Sequence, residues 1–343
     1  MQQDKGKAKK NLVPAGLSYL TGNISTHHNI AGASKQSRSD WAEGLHLPEQ
    51  SETIFFSGCG YQYFSRLDPV MSLLRKFDRT PVGTGLPITI ARLSKNMGID
   101  IASIYSKLLP SGDDKGIESQ PLRAAVKVLQ KLGVDFGYLG DNEPCCGGPS
   151  YYVGLEKQFK DHALASYEQL KSSGVRKIIS IVPSCTYTLR DLYPAYIEGF
   201  DIEVTHFLEV VLERIKPGML KYPKKLKVVY HDSCQLARYL GLIDEPRRIL
   251  KSIEGIELLE PEHTTGEWAT CCGGGAGFEV VFPDLSHILA KNRVEELMQT
   301  GPDVIVTHCP GCIMQLKSGL QELHHDTIEV LDIAQILSTA MEV

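Results

Sequence analysis

The cysteines carry the chemistry of this sequence. They stand at Cys59, Cys145, Cys146, Cys185, Cys234, Cys271, Cys272, Cys309 and Cys312. Two pairs are vicinal and run straight into glycine, in "NEPCCGGPSYY" and "WATCCGGGAGFE". Neighbouring cysteines rarely close on each other, because a disulfide there is strained. Structural cysteines would be scattered through apolar runs as small hydrophobes. These lie in short motifs flanked mostly by Gly, Pro or Ser, a setting in which soft thiolates bind zinc, copper(I) or iron–sulfur clusters. Metal binding is the chemistry to expect.

The residues around the thiols fit that role. Gly273, Gly274 and Gly275, and Gly147 in the other pair, let bare backbone approach a metal group without a Cβ clash. Their N–H groups, and those of helix N-termini, stabilise anionic sulfur. His231 and His308 lie close to Cys234 and Cys309 and are candidate proton donors to a nascent thiolate; packing at strand ends is the competing explanation. His27-His28 and His324-His325 have no metal-ligand spacing and read as surface residues. Gly83-Thr84-Gly85 is too weak a glycine signal for a nucleotide site, and nothing points to flavin or NAD in this chain.

The elements that must hold these residues repeat. Cys234 is followed by 36 residues, Cys271-Cys272, 36 more, and Cys309-Pro-Gly-Cys312. Cys59 is followed by 85 residues, Cys145-Cys146, 38 more, and Cys185. "TIFFSGCGYQYFSRL" parallels "KVVYHDSCQLARYLG", and "RKIISIVPSCTYTLRDLYP" parallels "PDVIVTHCPGCIMQLKSGL". "LRAAVKVLQKLGVDFGYLG" and "RRILKSIEGIELLEP" each read as a helix and then a short strand. "LEKQFKDHALASYEQLKSSG" and "HILAKNRVEELMQTG" read as helices ended by glycine. "KIISIV" and "DVIVT" are continuous apolar runs, expected in a parallel sheet covered on both faces. The economical fold is α/β: two pseudo-symmetric, doubly wound, Rossmann-like lobes, each with its cysteines at strand ends, where such folds collect ligands.

We place an N-terminal arm at residues 1–50, suited to docking a partner. The first lobe spans 51–222, with an insertion at about 66–119, and the second spans 223–343. A net charge of −5 gives no electrostatic case for nucleic acid. No apolar run approaches the roughly 20 residues that span a bilayer. The start, "MQQDKGKAKKNLVPAG", lacks the apolar core of a secretory signal. The expected location is cytoplasmic, peripheral to the membrane only through partners.

Cys234, Cys271-Cys272, Cys309 and Cys312 match in full the cysteine-rich CCG domain: a cysteine, a vicinal pair and a Cys-x-x-Cys at long spacings. The second half thus resembles that domain in the B subunit of heterodisulfide reductase and in related subunits of lactate, glycolate and glycerol-phosphate oxidising systems. Cys59, Cys145, Cys146 and Cys185 resemble its paired copy, and the likeness covers roughly residues 51–343. It implies a noncubane 4Fe–4S cluster in each lobe, the two facing each other, and a disulfide or thiol substrate. The disulfide would be split there in one-electron steps, its sulfurs held at cluster iron. It also implies a separate ferredoxin-type iron–sulfur partner, similar to the C subunit of that reductase, since "RSDWAEGLHLP" looks like the stretch after a ferredoxin domain in fused relatives. A flavin-containing protein similar to its A subunit would be a further partner.

One position departs from the family. Aligning "IVPSCTYTL" on "VTHCPGCIMQL" puts Val182 where Cys309 stands, so the first lobe has four thiols. Its group is then a conventional 4Fe–4S cluster, an altered noncubane one, or zinc. The departure brings in heterodisulfide-reductase-like complexes of sulfur oxidisers, which act with a lipoate-binding protein. The expected function is an iron–sulfur catalytic subunit that performs disulfide/thiol redox chemistry. The alternatives are an electron-transfer subunit of a flavin dehydrogenase complex and a zinc-bearing scaffold.

Overall fold

The computed structural model describes residues 14–34, 37–63 and 120–342. The insertion expected at about 66–119 lies outside the described residues, as do residues 1–13 of the arm.

The first lobe runs α1 (Ala15–His27), β1 (Thr53–Phe56), α2 (Gly58–Gln62), α3 (Gln120–Lys131), α4 (Gly148–Tyr152), α5 (Glu156–Ser172), β2 (Lys177–Ser180), α6 (Pro183–Tyr187), β3 (Glu203–His206) and α7 (Phe207–Arg214). The second runs β4 (Lys221–Tyr230), α8 (Asp244–Lys251), β5 (Glu254–Leu259), α9 (Pro283–Met298), β6 (Val304–Thr307), α10 (Pro310–Glu322), β7 (Glu329–Asp332) and α11 (Ile333–Ala340). None of the described helices is long and apolar enough to cross a membrane.

Every strand pairing is parallel. The second sheet has the order β5-β4-β6-β7, and the first has β1-β2-β3. The strand expected in "GVDFGYLG" is reduced to one parallel bridge, Gly137 to Ile54. Pro48, far away in the chain, occupies its other side, taking the N–H of Tyr138 at 2.8 Å. A Cβ on Gly137 would stand 2.4 Å from the Pro48 carbonyl oxygen. With that bridge counted, both lobes share one order, in which the chain leaves the first strand for one edge and then returns to its other side. The crevice beyond the carboxyl ends of the central pair is the switch point where such sheets bind ligands. β1 and β2 form that pair in the first lobe, β4 and β6 in the second.

Burial follows from the sequence pattern. All four residues of β6 are buried, and three of four in β2, as a sheet covered on both faces requires. The lobes share one apolar core containing Ile54, Ile178, Val229 and Ile305. They meet reciprocally: α3 packs on α11, and its counterpart α8 packs on α7. The cysteine-bearing elements also cross over. The Cys59 helix α2 touches α10, which carries Cys312, and α6, which carries Cys185, touches the turn at Gln235–Tyr239 after Cys234.

α1 belongs to both lobes. It packs on α4 just beyond the first double cysteine and on the short helix Phe278–Val281 beyond the second. Gln158 Nε2 donates to the Thr21 carbonyl at 2.7 Å and to Ser25 Oγ at 2.8 Å. Gly277, at φ 82°, lies against Leu17, whose Cδ2 would be 2.4 Å from an added Cβ.

Candidate metal centres

Four of the strands deliver the thiols. Cys59 follows β1, Cys185 stands in the helix after β2, Cys234 follows β4, and Cys309 and Cys312 follow β6. The double-cysteine loops complete each set. In the second lobe the Sγ atoms of Cys272 and Cys312 are 3.3 Å apart. In the first, Cys146 and Cys185 show the same 3.3 Å, and Cys59 and Cys145 are 3.9 Å apart. Cys271 and Cys234 stand close enough to Cys272, and Cys309 to Cys312, for their charges to act on one another, so each lobe gathers its cysteines in one region. Their soft, all-sulfur donors suit an iron–sulfur group.

Two of the glycines direct their N–H groups at the thiols. The N–H of Gly273 reaches the Sγ of Cys271 at 3.3 Å, and that of Gly147 reaches Cys145 at 3.4 Å. Both have positive φ, at 82° and 74°. A Cβ on Gly273 would lie 2.2 Å from the Ser286 carbonyl oxygen, and one on Gly147 2.6 Å from the His162 ring. Gly274 serves packing instead: its Cβ would meet Gln315 at 2.7 Å and the Gly311 carbonyl at 3.2 Å. That contact seats the double-cysteine loop on α10.

The two centres differ in access. All four first-lobe thiols are buried, whereas Cys271 is exposed and Cys234 and Cys309 are partly so. Part of the seal is the arm, since Ile24 and Ala33 share a separate apolar cluster with Cys59 and Cys145. Trp268, near Cys271 in the chain, is 74% exposed.

They also differ in charge. A hydrogen bond shared with Cys145, and burial, push the Cys59 thiol well up. Cys145 is pushed up to about 12, chiefly by its hydrogen bond with Cys146. In the second lobe, burial takes Cys234 up to about 11. Cys272 goes the other way: hydrogen bonds from Cys271 and Cys312 outweigh burial and hold it well below the ordinary thiol range.

Both candidate histidines are buried beside the second set. A nitrogen of His231 and the sulfurs of Cys272 and Cys312 lie within 4.8 Å of one another. His231 Nδ1 takes a hydrogen bond from Arg293 Nε at 3.0 Å. His308 Nδ1 is 2.9 Å from Asp332 Oδ1, and its ring stacks on Phe207.

Two residues escaped the sequence reading. Glu143, two places before Cys145, accepts hydrogen bonds from the backbone N–H groups of Ser57 and Gly58, from Ser57 Oγ and from Gln62 Nε2, at 2.7–3.0 Å. It ties the Cys59 loop to the double-cysteine loop, and burial pushes its carboxyl up to about 7. Arg293 is the other, wholly buried on α9. The signal was there: an arginine in register with Ala290, Val294 and Leu297 on the buried face of a helix.

Comparison with known proteins agrees with this geometry. The family model for the CCG cysteine-rich domain matches residues 111–190 and again 228–317. Over 229 residues, 64% of this chain, it is 35% identical to the EtfAB:quinone oxidoreductase of Syntrophomonas wolfei, covering 32% of that protein. It is 33% identical to the D subunit of the dihydromethanophenazine:CoB–CoM heterodisulfide reductase of Methanosarcina acetivorans, over 64% of this chain and 54% of that one. It is 31% identical to the B subunit of the fumarate reductase (CoM/CoB) of Methanothermobacter marburgensis, over 63% and 42%. The matches thus span between about a third and about half of these relatives' lengths. Cys145, Cys146 and Cys185 lie within the first matched segment and all five second-lobe cysteines within the second, and the two sets stand at equivalent sheet crevices: the chain belongs to the CCG cysteine-rich domain family and carries two copies of that domain.

Proposed function

We propose that this chain is an iron–sulfur subunit of a heterodisulfide-reductase-like oxidoreductase, with disulfide/thiol redox chemistry centred on its second lobe. The observation that carries the reading is the partly open second set beside a closed four-thiol set, with the Cys59 helix touching the Cys312 helix across the lobe boundary. Five thiolates exceed the four that zinc or a cubane takes, which favours a noncubane 4Fe–4S cluster on Cys234, Cys271, Cys272, Cys309 and Cys312. Cys59, Cys145, Cys146 and Cys185 would hold a 4Fe–4S cluster of conventional or altered type. When bound, such clusters supply one-electron steps and iron that can bind sulfur. The chain's own part is to hold the sulfurs with the N–H groups of Gly273 and Gly147. It also bars water from the first lobe with the arm and leaves the Cys271 side accessible.

His308 is the better placed proton donor of the two histidines. Asp332 also accepts from the Ala334 N–H and from Tyr61, so its carboxylate fixes the His308 proton on Nδ1. Nε2 of His308 is buried and has no hydrogen-bond partner among the described residues.

The second reading is an electron-transfer subunit of a flavin dehydrogenase complex. The closed first lobe favours it, since a sealed centre suits electron passage better than substrate binding. In either reading the partners are a ferredoxin-type iron–sulfur protein and a flavin protein, with a lipoate-binding protein as a candidate source of the disulfide. Docking through the arm would fall to its exposed residues, since Asn29, Ala33, Arg38 and Trp41 are buried against the chain itself.

The test is anaerobic purification with iron, sulfide and zinc analysis, then EPR before and after adding a thiol or a disulfide. Iron and sulfide with a thiol-dependent signal support disulfide chemistry. Iron with no response in either redox state points to electron transfer, and stoichiometric zinc without iron overturns both.

A further inference from the structure

The two histidines beside the second thiol set look equivalent in sequence and are opposite in chemistry. Asp332 can only accept from His308. Arg293 can only donate, since a guanidinium has five N–H groups and no acceptor. Arg293 is 0% exposed and anchored three ways, so it cannot swing aside. Its Nη1 donates to Thr264 Oγ1 at 2.9 Å, to Glu296 Oε2 at 2.8 Å and to Thr270 Oγ1 at 3.3 Å. Its Nε–H points at His231 Nδ1, 3.0 Å away. Nδ1 must therefore carry the lone pair, which leaves the single ring proton on Nε2. Nε2 is buried, has no conventional partner among the described residues, and is the nitrogen left to face the thiols.

We infer that Arg293 locks His231 in the Nε2–H form, making it a fixed N–H donor to the Cys272 sulfur and barring it from ligating a metal. A histidine that ligates through Nε2 needs its proton on Nδ1, given to an acceptor; Arg293 occupies that place with a donor. A doubly protonated ring could not take the Arg293 hydrogen on Nδ1, so the same contact requires a neutral imidazole. The second site is thus all-sulfur with a built-in hydrogen bond, and the three-residue group His231, Cys272 and Cys312 is not a zinc site. The first lobe lacks the device, because Ser57 follows β1 where His231 follows β4. The inference deepens the proposed iron–sulfur role and rests on it only for the cluster's properties.

The wild-type apoprotein tests it first, without any substitution. With histidine ring nitrogens labelled, long-range proton–nitrogen NMR should show His231, identified by its loss in His231→Gln, as the Nε2–H tautomer. An Nδ1–H tautomer, or a mixture of both, overturns the lock. In the iron-loaded protein, EPR-monitored redox titration of the second centre reads the N–H···S bond. His231→Leu should lower the midpoint potential, because hydrogen bonds to sulfur stabilise the reduced cluster. His231→Gln, whose amide places an N–H near Nε2, should stay closer to wild type. An unchanged potential in His231→Leu overturns the donor role. Failure of the chain to take up iron would sink the proposed function and leave the tautomer result standing.

Discussion

Tyr61, in the helix that carries Cys59, donates its phenolic hydrogen across the lobe boundary to Asp332. Both groups are buried. Burial and the Asp332 charge push the phenol well above its ordinary range, so it stays a donor at any working pH. Asp332 also caps α11 and holds His308. One carboxylate thereby links the first cysteine loop, the last helix and the histidine beside Cys309. Its counterpart at the end of β3 is His206, which caps α7 in the same way.

Tyr61→Phe should therefore weaken the lobe interface without emptying space. A buried hydrogen bond to a charged acceptor contributes on the order of 1.5–3 kcal/mol. Denaturant unfolding of the apoprotein should fall by about that much, with α11 still capped. A loss below about 0.5 kcal/mol would mean that this hydrogen bond does not help to join the lobes.

The ligand sets make separable predictions. Cys272→Ser or Cys271→Ser should remove the iron and sulfide of the second lobe and leave those of the first, while Cys185→Ser should do the reverse. Metal analysis per chain reads both. Full iron in Cys271→Ser would remove Cys271 from the set and reduce the second centre to four thiols.

Much of this was legible in the chain. β2 and β6 stand out because a strand covered on both faces is apolar throughout, and the cysteines stand out because chemistry fixes their spacing. What the chain hides is partnership at long range. Arg293 reaches His231 from 62 positions away, and Tyr61 reaches Asp332 from 271. No local pattern contains either, so two histidines beside cysteines looked alike. The strand at Gly137 failed for a related reason: its outer edge is taken by Pro48, distant in sequence.

His206 predicts an acid sensitivity. Its ring is 0% exposed, lies edge-on to His308 at 5.1 Å and takes the Leu208 N–H on Nδ1; Glu209 accepts its backbone N–H. Burial, then the proximity of His308 and of Arg190, holds its pKa well below the ordinary 6.5. In the folded chain it stays neutral, while the unfolded chain takes up a proton below about 6.5. Its contribution is present above that value and is lost as pH falls through the window below it. Between pH 6.5 and 5.5 the apoprotein should lose about 1 kcal/mol relative to His206→Asn, which keeps a helix cap and cannot titrate. Equal pH slopes for the two proteins would show that His206 is not neutral in the fold.

Val182 offers the sharpest comparison between the lobes. It caps α6 in an extended conformation (φ −89°, ψ 118°), just before Pro183 and three places before Cys185. Cys309 caps α10, also extended (φ −164°, ψ 127°), just before Pro310 and three places before Cys312. Val182 is only 3% exposed. Its Cγ2 lies 2.8 Å from where Gly58 would carry a Cβ, a position itself 3.1 Å from the Cys185 sulfur. A cysteine at 182 thus places a fifth sulfur at the first centre, trading one methyl for a thiol and giving up the other. Val182→Cys should keep the fold and the iron content while giving the first centre the EPR signature of the second. Cys309→Val should convert the second toward the first. If Val182→Cys takes up its full iron and its spectrum matches wild type, the fifth thiol is not what separates the two centres. The difference would then lie in His231 and its hydrogen bond, which only the second lobe has.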